Sequence, residues 1–373
     1  MAKGSKKWRY LPGLIALFIY ILFTPRRLPQ ETVLKPRWIT SLESSNPFLF
    51  SDSSVNKNDP PLPFTLGDHF GYLLDDGNFI INQKRTSLIS LSENAWAEYE
   101  GLPSSIQVMD PYNKGILTIE SPDGYPLFLD RRNAEKQGFF IVAPEQNSIT
   151  AVNPDGEELW TYDFPAPITC VDGTPMFLLA GTLDGTLVLL DPSGHPVFTP
   201  FEPGGSRLSV ILGCAISGDA TRLAIISGID EQRFLLLEQS GDTYKVIYHE
   251  FLSEGYRRPV HLSFIDNDSK IVFEREGGLA IFNIGARSSL KVNLKGKIAA
   301  LDTSGEDGFL FAVTSIDTPL DAPKEMHFVS IRYPELIINE APLKSNSTFF
   351  ARRDRHLYLG GDLLLASFEL KKN

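Results

Sequence analysis

Two windows of the chain are near-copies of one another: residues 140–160 (FIVAPEQNSITAVNPDGEELW) and 178–198 (LLAGTLDGTLVLLDPSGHPVF). Each reads as a strand, a tight turn, a second strand and a Pro-x-Gly turn. Pro154 and Pro192 lie 38 residues apart. Self-similarity at such a period marks a chain built from one supersecondary unit, which cannot bury its apolar face without neighbours of the same kind. Asp155-Gly156 and Asp184-Gly185 stand where tight hairpins need residues that tolerate positive φ.

From about residue 64 onward, short apolar runs alternate with turn signals and no segment holds a sustained helical period. Units are bracketed at 66–101, 104–134, 137–165, 166–203, 207–253, 258–295 and 296–343, with a final segment at 346–370. Several share a grammar: a leading strand of small and branched residues (168–172, 209–217, 260–265, 297–303), a polar turn, then a second apolar strand. Four-stranded units of about 40 residues are the blades of a β-propeller. The expected fold is all-β, a seven-bladed propeller, with eight blades left open by the terminal segment. Small leading-strand residues suit the crowded central channel. Residues 93–100 (ENAWAEYE) read as one or two helical turns. The ring is expected to close by strands at 357–359 and 363–370 joining the first unit near residues 70–82, which removes exposed sheet edges.

Charge is distributed unevenly. Residues 1–37 hold eight Lys and Arg and one acid, Glu31, whereas the remainder holds 27 bases against 45 acids. An acidic body repels nucleic-acid phosphates, so no nucleic-acid partner is expected. The basic arm flanks residues 11–24 (LPGLIALFIYILFT), an apolar run of 14. That is short for a bilayer span, but Trp8, Tyr10 and snorkelling Arg side chains extend it. A cleavable signal peptide competes with an uncleaved anchor; Leu22-Phe23-Thr24-Pro25-Arg26 offers no small-x-small pair and favours the anchor. Four bases precede the run within nine residues and Arg26 and Arg27 follow it, a slight bias that puts the N-terminus in the cytoplasm. The expected organisation is a basic cytoplasmic segment (1–10), a signal-anchor helix (11–24), a Ser/Asn/Pro-rich linker (25–63) and the propeller (64–373). The chain would be a single-pass inner-membrane protein with its bulk in the periplasm.

Residues 180–194 (AGTLDGTLVLLDPSG) and 151–160 (AVNPDGEELW), with Trp160 as the packing tryptophan, resemble the PQQ-like β-propeller repeat. This repeat occurs in quinoprotein dehydrogenases and in cofactor-free envelope proteins such as the propeller subunit of the outer-membrane β-barrel assembly machinery. About 60 residues carry the resemblance, and the other units drift toward WD-like propellers without the Gly-His and Trp-Asp marks. Dehydrogenases of this family hold their quinone through acidic and amide ligands to calcium, often with a disulfide between neighbouring cysteines. Cys170 and Cys214 are far apart in sequence, and one repeat tryptophan stands here. The resemblance therefore implies the cofactor-free branch.

A search for chemistry names no catalytic, cofactor-binding or metal residues. The six His are scattered, no pair lying within four residues, which excludes common zinc spacings. Gly-x-Ser-x-Gly and phosphate-loop motifs are missing. Asp155, Asp184 and Asp191 are expected to bond local backbone NH groups in their turns. Cys170 and Cys214 occupy similar places in consecutive units and are candidates for a disulfide, or for two buried thiols. Basic doublets form a candidate interaction rim: Arg131, Arg132, Tyr256, Arg257, Arg258, Arg352, Arg353 and Arg355. The leading expectation is a membrane-tethered, non-enzymatic platform for a protein partner in the cell envelope. An extracytoplasmic enzyme or carbohydrate-binding module with a site in the central channel is the alternative, and an intracellular scaffold of inverted topology is a third.

Overall fold

Short β-branched and aromatic runs, separated by Gly, Asp and Asn turns, pair antiparallel with the runs that follow them. The computed structural model describes residues 32–44, 46–50, 59–129, 138–252, 255–302, 304–316, 318 and 324–372. The described residues open with β1 (Thr32–Ser41) and β2 (Phe48–Leu49). The first blade follows, β3 (Leu62–Leu66), β4 (His69–Leu73) and β5 (Phe79–Lys84), then the second, β6 (Leu88–Leu91), β7 (Trp96–Tyr99), β8 (Ser105–Met109) and β9 (Gly115–Glu120). The third comprises β10 (Tyr125–Leu129), β11 (Gly138–Val142), β12 (Ser148–Val152) and β13 (Glu158–Asp163). The fourth is β14 (Ile168–Gly173), β15 (Leu178–Thr182) and β16 (Leu187–Leu190), with Pro196 and Phe201 bridging to β16 in place of a regular fourth strand. The fifth is β17 (Ile211–Ile216), β18 (Arg222–Ser227), β19 (Arg233–Ser240) and β20 (Thr243–Phe251). The sixth is β21 (Leu262–Ile265), β22 (Lys270–Arg275), β23 (Gly278–Asn283) and β24 (Ser288–Asn293). The seventh is β25 (Lys297–Leu301), β26 (Phe309–Ile316), β27 (Glu325–Arg332) and β28 (Leu336–Lys344). Last come β29 (Thr348–Arg353), β30 (His356–Gly361) and β31 (Leu364–Lys372), which join β1 and β2 in the order β2-β1-β31-β30-β29.

The core is not one mass but eight apolar layers, each shared by two successive blades. Leu179, Leu187 and Leu189 of the fourth blade pack on Ile211, Ile225 and Leu235 of the fifth. Phe234 of the fifth stacks on Phe273 of the sixth, ring centroids 4.5 Å apart. The series continues round to Phe311 and Phe328 against Leu357 and Leu370, and to Trp38 and Tyr358 against Phe64 and Leu73. Leading strands β14, β17 and β21 lie side by side, as their small residues require. The ring therefore has eight blades rather than seven.

Where the expected boundaries fail, the reason is local. The last four full brackets each cover one blade. The first two straddle neighbouring blades and the third misses β10, because a hairpin turn does not reveal which of its strands lies innermost. Residues 93–100 have helix-forming composition, yet β7 runs through them, and Ala95 just before it and Trp96 and Ala97 within it are buried between blades. Packing overrides propensity there.

The larger correction concerns closure. β1 pairs with β31 from Thr32 opposite Lys372 to Ser41 opposite Leu364, so the ring closes through residues assigned to the linker at 25–63 and not through residues 70–82. The domain starts at residue 32 rather than 64. The anchor at 11–24 lies outside the described residues; among those described, no helix is long and apolar enough to cross a membrane.

Candidate interaction surfaces

The turns between third and fourth strands repeat one device. Asp191 Oδ1 accepts the Ser193 and His195 NH groups at 2.8 and 2.9 Å, Asn153 Oδ1 those of Asp155 and Glu157, and Asp110 Oδ1 those of Tyr112 and Lys114. In the first repeat window the bonding side chain is thus Asn153, two residues earlier than the expected Asp155. Asp184 behaves as expected, accepting from Thr182 Oγ1 and the Thr186 NH. Trp160 Nε1 donates to the Pro192 carbonyl at 2.9 Å, and its ring lies over Gly194, where φ is 79° and a Cβ would stand 2.5 Å from the indole. The two windows are therefore in contact, with Trp160 of β13 seated on the next blade's glycine turn.

The same seat closes the ring. Trp38 Nε1 donates to the Asp75 carbonyl at 2.7 Å and its ring lies over Gly77. The turn at residues 74–78 thus matches the third-to-fourth turn of the other blades, and β3 to β5 correspond to second, third and fourth strands. Beside Trp38, Arg37 is 1% exposed and grips Asp75 with both terminal nitrogens, at 2.6 and 2.5 Å. Arg37 also donates to Ser367 Oγ, and Tyr358 donates to Asp75 Oδ1 at 2.9 Å. Burial works against the Arg37 cation, but the hydrogen bonds and charge of Asp75 outweigh it and leave its pKa above the ordinary value. One residue of the supposed basic arm is in this way the bolt between the first and last blades.

His356 Nδ1 stands 3.5 Å from Asp75 Oδ1. Burial first, and Arg37 second, hold the imidazole pKa below its ordinary 6.5. A histidine whose folded pKa is depressed contributes stability that is complete above the unfolded value and is lost as pH falls through the folded one. Unfolding free energy from urea titrations is therefore expected to fall from pH 7 to pH 5, and to fall less in His356→Asn. Identical pH dependence in the two chains would show that His356 does not report on closure.

Among the described residues the expected rim does not come together on one face. In an antiparallel meander, first-to-second and third-to-fourth turns emerge at one face of the ring, second-to-third turns and blade connections at the other. Arg353 ends β29 and Arg355 lies in the turn from β29 to β30, whereas Tyr256, Arg257 and Arg258 lie in the connection from β20 to β21, on the opposite face. Arg352 is buried against Asp302 at 2.8 Å. Arg353 donates to the Pro60 and Pro61 carbonyls and to Glu93, and Arg355 stands 3.8 Å from Asp307. Arg258 forks onto the fully buried Glu274 at 2.7 and 3.1 Å and lies 4.3 Å over the Tyr256 ring. Arg352, Arg353 and Arg355 tie the last blade to its neighbours and Arg258 pins the connection that enters the sixth; Arg257 is exposed, and Arg131 and Arg132 lie outside the described residues. Cys170 on β14 and Cys214 on β17 are free thiols brought into contact between the fourth and fifth blades. The Cys170 thiol and burial together push the Cys214 pKa up.

Two open grooves between blades lie beside the repeat windows. One, of about 770 Å³, lies between the second and third blades and is bordered by Glu120, Asp123, Glu145 and Glu158. The other, of about 550 Å³, is floored by Phe139, Phe140, Trp160 and Phe177. At its lip Leu159 and Met176 are 59% and 57% exposed. Sequence reasoning found Trp160 as a packing residue but missed the groove, whose walls come from three blades.

A family model described as beta-propeller protein matches residues 1–373. An uncharacterized protein of Treponema pallidum (strain Nichols) is 25% identical over 310 residues, 82% of this chain and 80% of that one. Among solved structures, BamB from Moraxella catarrhalis superposes with a TM-score of 0.56 at 12% identity, over 91% of this chain and 100% of that one. The computationally designed Ika8 protein superposes at 0.58 and 13% identity, over 85% and 98%. Eight blades sharing eight apolar layers, locked through Arg37 and Trp38, agree with these likenesses: the chain belongs to the beta-propeller protein family.

Proposed function

We propose that the protein is a non-enzymatic interaction platform, held by its N-terminal segment to the inner membrane and working in the cell envelope, with its ring on the periplasmic side. The groove floored by Phe139, Phe140, Trp160 and Phe177 carries this reading, since an apolar trough with exposed lips favours a partner that brings apolar side chains. The occupant is an apolar segment of a protein. The likeness to BamB and the run at residues 11–24 support the envelope setting. Protease protection of spheroplasts tests the topology. For the platform, Leu159→Asp with Met176→Asp is expected to cut recovery of the cross-linked partner by about tenfold, the effect of a lost hot spot of roughly 1.4 kcal/mol, without lowering the melting temperature. Unchanged recovery by the folded variant would remove the groove from the function.

A further inference from the structure

The outer edge of the closing blade is apolar. Phe48 and Leu49 of β2 are 63% and 50% exposed, and the Phe48 and Phe50 rings meet edge to face at 5.3 Å. Strand register sets Phe48 opposite Ile39, Ile39 opposite Ala366 and Ala366 opposite Leu359. Paired residues share a side of the sheet. A row of apolar side chains therefore runs from the edge into a groove of about 500 Å³ that Leu343, Leu364 and Phe368 line.

What covers this edge follows from where the chain enters it. The apolar run ends at residue 24 and β1 begins at Thr32. Seven intervening residues reach at most about 25 Å when fully extended, so a bilayer holding residues 11–24 lies against the closing blade. The disc can meet that bilayer by the face where Thr32 and Lys372 emerge, or by its edge. The turns of that face carry Asp110, Asp155, Asp191, Asp219, Asp266 and Asp268, which outnumber bases such as Arg287 and Arg355 and which anionic headgroups repel. The edge offers two phenylalanines and two aliphatic side chains, which favour the interfacial layer.

We propose that the edge formed by Ile39, Phe48, Leu49 and Phe50 lies in the headgroup layer of the bilayer and stands the ring edge-on to it. This rests on the anchor reading above. The geometry leaves both faces of the ring, and the Trp160 groove, open to the aqueous side.

The test uses the full chain in nanodiscs of phosphatidylethanolamine and phosphatidylglycerol, with photoreactive benzoylphenylalanine in place of Phe48, Phe50 or, on the opposite blade, Met176. Lipid adducts at 48 and 50 are expected at about ten times the level at 176. Equal levels, or adducts to a second copy of the chain, would overturn edge docking. Carbonate extraction separates the two readings. A chain that resists the wash yet gives equal adducts keeps its anchor and loses the docked edge; a chain that washes off loses both. Melting curves matching the unsubstituted chain confirm that each substituted ring is folded.

Discussion

A chain that begins at residue 42 is expected to lose cooperative unfolding, whereas one that begins at residue 32 keeps it. The difference is β1. Removing it leaves β31 as an unpaired edge and strips Trp38 from its seat on Gly77. A buried tryptophan hides about 150–250 Å² of surface, worth about 4–6 kcal/mol at roughly 25 cal/mol per Å². A domain's whole net stability is about 5–15 kcal/mol, so the loss of this strand with its ion pair is on the scale of the fold itself. Urea titrations followed by far-UV CD and tryptophan fluorescence provide the measurement. Equal midpoints for the two chains would mean that the pairing of β1 with β31 holds nothing together, and that the domain begins near residue 64 as its composition suggests.

The second large effect is expected at Arg37. Arg37→Ala leaves the Asp75 carboxylate buried without its cation, which costs about 3–5 kcal/mol. Replacing both partners, Arg37→Met with Asp75→Leu, removes the charges together and is expected to cost less than the two single changes added, by about 1–3 kcal/mol of coupling. Additive losses would show that the pair does not act as a unit. Tyr358 and Ser367 also contact it, so the double variant still gives up hydrogen bonds and stays below the unsubstituted chain.

Arg37 also shows where sequence reading stops. Along the chain it is one more base flanking an apolar run, with a charge that counts toward membrane orientation. In the ring it is buried, 38 residues from Asp75 and 330 from Ser367. Neither separation leaves a pattern in a single sequence. The same holds for Arg258 with Glu274 and Arg352 with Asp302: basic doublets suggest a solvated rim, and carboxylates placed by the folded ring engage Arg258, Arg352 and Arg353 instead.

Turn chemistry, by contrast, is local and therefore legible. An Asp or Asn that bonds the NH groups two and four residues ahead, followed by a glycine at positive φ, specifies a hairpin from five residues alone. That is why the windows at 140–160 and 178–198 reveal the repeat, the all-β class and a ring of seven or eight blades. Hairpins are equally silent on which strand is innermost, so the first three blade boundaries slip.

The sequence by itself determined that this chain would be a ring of antiparallel hairpins, because each hairpin is encoded within its own turn. Only the tertiary structure decided that there are eight blades, that residues 32–41 close them, and that the Trp160 windows wall an open apolar groove. Closure and grooves depend on side chains that meet across separate blades, at closure across hundreds of residues, and their free energy exists only once the ring has formed.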